Sequence, residues 1–127
     1  MPKQNYLLDT CIIIDALRGH LQAVNFLDKL NLVNISVVTQ AELLEGCRNK
    51  TELRKIKKLL EGYRIFYLNK EVCTQSINIL EVYYLKHGIL FDDALIASSA
   101  IINNLTLATT EKKHFRPIEG LMITQPY

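Results

Sequence analysis

Short apolar runs punctuate this chain at intervals that only crossover connections can span. "YLL" at 6–8, "LVNISVV" at 32–38, "YRIFYL" at 63–68, "LTLAT" at 105–109 and "LMITQ" at 121–125 each have the length and composition of a strand. Most of the stretches between them show apolar residues at helical spacing. Ile13, Ile14 and Leu17 share one face before Gly19 stops the turn, and Leu21, Val24, Leu27 and Leu30 share the next. Strands separated by helices cannot close as tight hairpins. They pair in parallel, which predicts a three-layer α/β/α domain with a mostly parallel sheet.

Local signals mark the remaining helices. Thr39 and Glu42 have capping-box spacing, so a helix is expected to start at "TQAELLEG". Leu53, Ile56, Leu59 and Leu60 oppose Arg54, Lys55, Lys57 and Lys58 in an amphipathic segment. A long helix is expected over 70–87, stopped by Gly88. "FDDALIASSAIINN" reads as an apolar helix with Asp92 as its N-cap and Asp93 in its first turn, and "TEKKHF" as a short turn or helix.

A chain of 127 residues, 49% of them hydrophobic, is long enough for one sizeable core, so a single domain over residues 1–127 is expected. No apolar run approaches the roughly 18 residues of a membrane span, and "MPKQN" lacks the pattern of a signal peptide. A soluble, cytoplasmic protein is the expectation. Cys11, Cys47 and Cys73 form no CxxC pair and suggest three reduced thiols rather than a disulfide framework or zinc site. A net charge of +2 favours an anionic partner only weakly.

The acids carry more information. Asp9 follows the first strand, Glu42 comes soon after the second, Asp92 and Asp93 open an apolar helix, and Glu111 follows "LTLAT". In a parallel sheet with right-handed crossovers, the strand-to-helix junctions lie along one edge, so these carboxyl groups are directed to a common rim. Clustered carboxylates oppose one another's ionisation unless a cation joins them. An all-oxygen ligand set suits Mg2+ or Mn2+ better than zinc, and such ions support phosphodiester hydrolysis. Each acid, taken singly, is also accounted for as a helix cap or first-turn residue. The two roles are compatible, because a helix N-terminus favours nearby negative charge.

Other residues are weaker candidates. A solvated helix face accounts for Asp15 and Glu45, and His20, His87 and His114 stand apart without metal-ligand spacing. The absence of GxGxxG and GxxxxGK[ST] argues against a nucleotide cradle. Basic residues gather from Arg48 to Lys58 and in "KKHFR", where Lys112, Lys113 and Arg116 follow Glu111 closely enough to contact phosphates.

"LLDTCIIIDAL", "ISVVTQAELLEG", "DDALIASSAIINNLTLATTEKKHF" and "GLMITQP", in this order and spacing, resemble the PIN-domain ribonucleases, and within them the VapC toxins of toxin–antitoxin pairs. The resemblance spans Tyr6 to Pro126. It implies a metal-dependent endoribonuclease acting on RNA with Mg2+ or Mn2+, a small antitoxin protein as partner, and a homodimer. Carried over by position, the family's acids fall on Asp9, Glu42, Asp93 and Glu111, with Thr109 as the threonine before the last. Thr10 and Thr109 are then expected to contact substrate beside Lys112, Lys113 and Arg116. Cys11 stands where the family usually has Asn or Ser, and Glu111 where many relatives have Asn or Asp. The rival readings are a non-catalytic PIN-like binding module, and a receiver or haloacid-dehalogenase-type phosphatase. Against the phosphatase, Cys11 occupies the place of the second aspartate of an Asp-x-Asp pair.

Overall fold

The computed structural model describes residues 5–127; the first four residues of "MPKQN" lie outside the described residues. The elements follow the order β1 (Tyr6–Leu8), α1 (Thr10–Leu17), α2 (Leu21–Asp28), β2 (Val33–Ser36), α3 (Val37–Glu45), α4 (Lys50–Glu61) and β3 (Tyr63–Phe66). Next come α5 (Lys70–His87), α6 (Phe91–Ile102), β4 (Thr106–Ala108), α7 (Lys112–Phe115) and β5 (Ile123–Thr124). The strands form one sheet in the order β3-β2-β1-β4-β5, and every pairing is parallel. The three-layer expectation holds.

Alternation along the central strands separates the two halves of the core. Leu7 of β1 and Leu107 of β4 belong to a cluster with Ile79 of α5 and Ala97 of α6. Their neighbours Leu8 and Ala108 belong to a second cluster with Ile12, Ile35 and Leu43. That division follows from the two-residue period of a strand, which sends successive side chains to opposite faces. Helices on both faces leave no face of β1 or β4 for water, and Leu7, Leu8, Leu107 and Ala108 are all 0% exposed.

Strand order also locates the binding edge. The chain runs outward from β1 through β2 to β3, then crosses back to place β4 on the other side of β1. At this reversal, loops leaving the carboxyl ends of β1 and β4 diverge and open a crevice. α6 ends close to the start of β4, where the Leu105 N–H donates to the Ala100 carbonyl at 2.8 Å. Twelve residues of helix then set its first turn, with Asp92 and Asp93, about 18 Å away from that end. Gly88 makes the reversal between α5 and α6 possible. Its φ of 68° is left-handed, and its N–H closes α5 on the Tyr84 carbonyl at 2.8 Å.

Two caps differ from the sequence expectation. α3 begins at Val37 under Ser36, whose hydroxyl accepts from the Val38 N–H at 3.1 Å. Thr39 therefore lies inside the helix, its side chain fully buried against Thr10, and the Thr39–Glu42 capping box does not form. Ser36 wins because β2 delivers it in the extended conformation an N-cap needs, φ −76° and ψ 152°. α6 likewise starts after Leu90, with no side-chain cap, so Asp92 stands in the first turn with Asp93 rather than at the cap.

Leu107 fixes β4 against the α5–α6 layer, and Leu107→Ala is expected to lower stability by about 2–5 kcal/mol through lost burial and a residual cavity. Urea unfolding should show a reduced midpoint with an unchanged slope.

Candidate active site

Asp9 is the most deeply set of the acids, at 6% exposure. It caps α1: Oδ1 accepts from the Thr10 N–H at 2.9 Å. Across the crevice, Thr109 at the end of β4 donates its hydroxyl to Asp9 Oδ2 at 2.8 Å, and the Cys11 thiol lies 3.5 Å from the same oxygen. Burial pushes the Asp9 carboxyl above its ordinary range; the Thr109, Cys11 and Thr10 donors pull it back, and the charge of Glu111 raises it again. Burial and the neighbouring Asp9 also push the Cys11 thiol up, away from the reactive thiolate.

Glu42 enters from α3. Its Oε1 accepts from the Thr10 hydroxyl at 2.8 Å, and the Thr39 hydroxyl stands 2.9 Å behind Thr10. Here too burial pushes the carboxyl up, against the Thr10 hydrogen bond, and the charges of Asp92, Asp9 and Asp93 add to the push. Asp93 comes from the first turn of α6, and its Oδ2 lies 3.0 Å from His114 Nε2 on α7. Glu111 precedes α7, with its N–H donating to the Thr109 hydroxyl at 2.9 Å and its side chain exposed.

The acids expected from the sequence are thus brought to one edge, near enough for their charges to act on one another. Among the described residues, no group of three is gathered at ligand spacing around a single point. The side chains instead satisfy local donors: Asp9 on Thr109, Glu42 on Thr10, Asp93 beside His114. The donor set fits Mg2+ or Mn2+ in kind, being all oxygen, half-buried and mutually repelling. No Lys or Arg among the described residues forms an ion pair with any of these four acids.

Several placements depart from expectation. Thr109 is fully buried and Thr10 is 8% exposed, and their hydroxyls donate to the carboxylates of Asp9 and Glu42. His114, which lacks metal-ligand spacing in the sequence, sits beside Asp93 because buried Phe115 anchors α7 and turns its neighbour toward α6. Asp15 accepts from the Tyr127 hydroxyl at 2.8 Å instead of facing only solvent. Lys112, Lys113 and Arg116 are exposed on and just after α7, beside the rim. Glu42 also lines two grooves, one with Leu68 and Asp92, the other with Ile14, Arg18, Cys47 and Lys55.

Residues 6–121 match the PIN domain family. The chain belongs to the PIN-domain family. Ribonuclease VapC1 of Methanocaldococcus jannaschii is 31% identical over 92% of this chain and 85% of its own length. Ribonuclease VapC10 of Mycobacterium tuberculosis is 33% identical over 91% and 89%. Among solved structures, this PIN domain superposes on a toxin–antitoxin complex from Klebsiella pneumoniae with a TM-score of 0.82, at 25% identity over 96% of this chain and 98% of that one. VapBC2 from Rickettsia felis, bound to a DNA fragment from its promoter, gives 0.79 at 28% identity over 94% and 96%. The PIN strand order also separates this chain from receiver domains, whose sheets run 2-1-3-4-5.

Thr109→Val deletes the donor to a buried charge and is expected to destabilise by about 1–3 kcal/mol at neutral pH. Because burial raises the folded Asp9 pKa above its ordinary 3.8, charged Asp9 is a destabilising element above that folded value. The element is relieved as pH falls toward 3.8, where the folded state binds the extra proton. Denaturant midpoints across pH should therefore show the Thr109→Val deficit largest at alkaline pH and shrinking toward acid.

Proposed function

We propose that this protein is a metal-dependent endoribonuclease, the toxin of a toxin–antitoxin pair, that hydrolyses RNA phosphodiester bonds. The observation that carries the reading is the carboxylate rim: Asp9, Glu42, Asp93 and Glu111, from separate elements, stand along one edge of the sheet, near enough for the charge of Glu111 to raise the Asp9 pKa and those of Asp9 and Asp93 to raise that of Glu42. Relatives at 31% and 33% identity over most of the chain bear the name ribonuclease, which supports the same assignment.

Asp9, Glu42 and Asp93 would hold Mg2+ or Mn2+, with Glu111 completing the rim. When bound, the ion supplies a means of activating water and of neutralising charge that develops on the phosphoryl group. The chain's own residues position it. Thr109 and the Thr10 N–H fix both oxygens of Asp9, and the Thr10 hydroxyl fixes Glu42. Lys112, Lys113 and Arg116 hold the RNA backbone through its phosphates, an attraction that is independent of sequence. No side chain has to act as a covalent nucleophile.

The groove running from Glu42 along α1 and α4 pairs apolar Ile14, Leu17 and Ile56 with basic Arg18 and Lys55. An antitoxin segment bringing apolar side chains would cover it and block access to Glu42. Solved relatives described as toxin–antitoxin complexes support a partner of this kind. Val82 and Leu85 of α5, 65% and 94% exposed, offer a surface for pairing two copies. No helix among the described residues is long and apolar enough to cross a membrane, and a toxin acting on cellular RNA works in the cytoplasm.

The test is cleavage of a mixed RNA pool. Mn2+ should support cleavage and EDTA should abolish it, while Asp9→Asn, Glu42→Gln or Asp93→Asn should each slow it on the order of 100-fold or more. Cleavage indifferent both to chelator and to Asp9→Asn would falsify the proposal. Lys112→Ala with Lys113→Ala should weaken RNA binding across all sequences. The slope of log K against log salt should flatten by about 0.7 for each phosphate no longer neutralised, measured by anisotropy at several salt concentrations.

A further inference from the structure

Asp93 of α6 pairs with His114 of α7, a contact between two elements 21 residues apart in sequence. Asp93 stands in the first turn of α6, 23% exposed, and the helix gives its carboxylate no donor: Asp92 Oδ1 takes the Asp93 N–H at 2.9 Å. Its one side-chain partner among the described residues is His114 Nε2, 3.0 Å from Oδ2. The imidazole is itself held from behind. Its ring meets the edge of Phe115, with centroids 5.2 Å apart at 79°, and Phe115 is 0% exposed in the core. Glu111, at the entry to α7, fixes the opposite side of the crevice, because its N–H binds the Thr109 hydroxyl that holds Asp9.

We propose that His114 is a positioning residue that sets the orientation of Asp93 for metal binding, and that α7 thereby locks the Asp93 and Asp9 sides of the site in register. The inference rests on the metal-dependent reading above. A carboxylate on an exposed first turn rotates freely unless a partner restrains it. Nε2 occupies Oδ2 and leaves Oδ1, which has no partner among the described residues, as the oxygen for a cation. Partners of this kind, which bind a ligand rather than the metal, typically change metal affinity by about 10–100-fold when removed.

The experiment measures Mn2+ affinity of the full chain by calorimetry or by electron paramagnetic resonance of free Mn2+, alongside RNA cleavage. His114→Phe keeps a ring against Phe115 and deletes the nitrogen; His114→Gln keeps a side-chain N–H donor. Thermal melting verifies that each variant is folded. His114→Phe is expected to raise the Mn2+ dissociation constant about 10–100-fold. It should lower kcat at limiting Mn2+ while leaving the KM for RNA unchanged, and excess Mn2+ should restore the rate. His114→Gln should recover most of the affinity.

A Mn2+ affinity for folded His114→Phe equal to that of the unaltered protein would overturn the positioning role while leaving the nuclease reading intact. Equal losses in the Phe and Gln variants would also overturn it, since the hydrogen bond would then be irrelevant. If the unaltered protein neither binds Mn2+ nor cleaves RNA, the metal-dependent reading fails and this inference falls with it.

Discussion

A single buried hydrogen bond, from the Thr109 hydroxyl to Asp9 Oδ2, organises this molecule around its crevice. It joins the carboxyl ends of β1 and β4 where the strand order reverses, beside the Asp9 N–H bond to the Ala108 carbonyl at 2.9 Å. A carboxylate at 6% exposure is costly without donors. Thr109, the Thr10 N–H and the Cys11 thiol answer that cost from three directions. Everything downstream follows from where Thr109 stands, because its hydroxyl also receives the Glu111 N–H and so fixes the entry into α7.

The carboxylate rim works against the fold that carries it. Burial holds both Asp9 and Glu42 above their ordinary ranges, and each is pushed further by acids on neighbouring elements. Such mutual repulsion is tolerated at functional sites and is seldom found where structure alone is served. Stability comes from elsewhere: the alternating Leu7/Leu8 and Leu107/Ala108 pairs fill both faces of the sheet, and α6 lies buried from Ala94 to Ala100. The core can thus carry a site that is unfavourable by itself. Separating the two tasks keeps changes of acid chemistry from altering the layers beneath.

Most of the architecture was legible because it rests on local periodicity. Helix 70–87 and its stop at Gly88 follow from spacing and from the left-handed conformation a glycine accepts. What misled was competition between equivalent local signals. Thr39 and Glu42 have the spacing of a capping box, yet Ser36 is where the extended strand ends, and Thr39 is drawn to Thr10 on another helix. That Thr10 and Thr109 brace Glu42 and Asp9 was not legible, because burial is a property of layers that the local pattern does not contain. His114 was invisible for the same reason. No ligand spacing surrounds it, and its partner lies 21 residues away in sequence.

By itself the sequence determined the element order and the parallel sheet, since helical and strand periods and crossover lengths are written along the chain. It also determined that a strand ends at Asp9, where an apolar run meets a residue that can cap the next helix. Only the tertiary structure decided which hydroxyl holds which carboxylate, and that a histidine from α7 meets an aspartate from α6. Those pairings depend on the packing angle of one layer on another, which arises from many small contacts and is encoded at no single position.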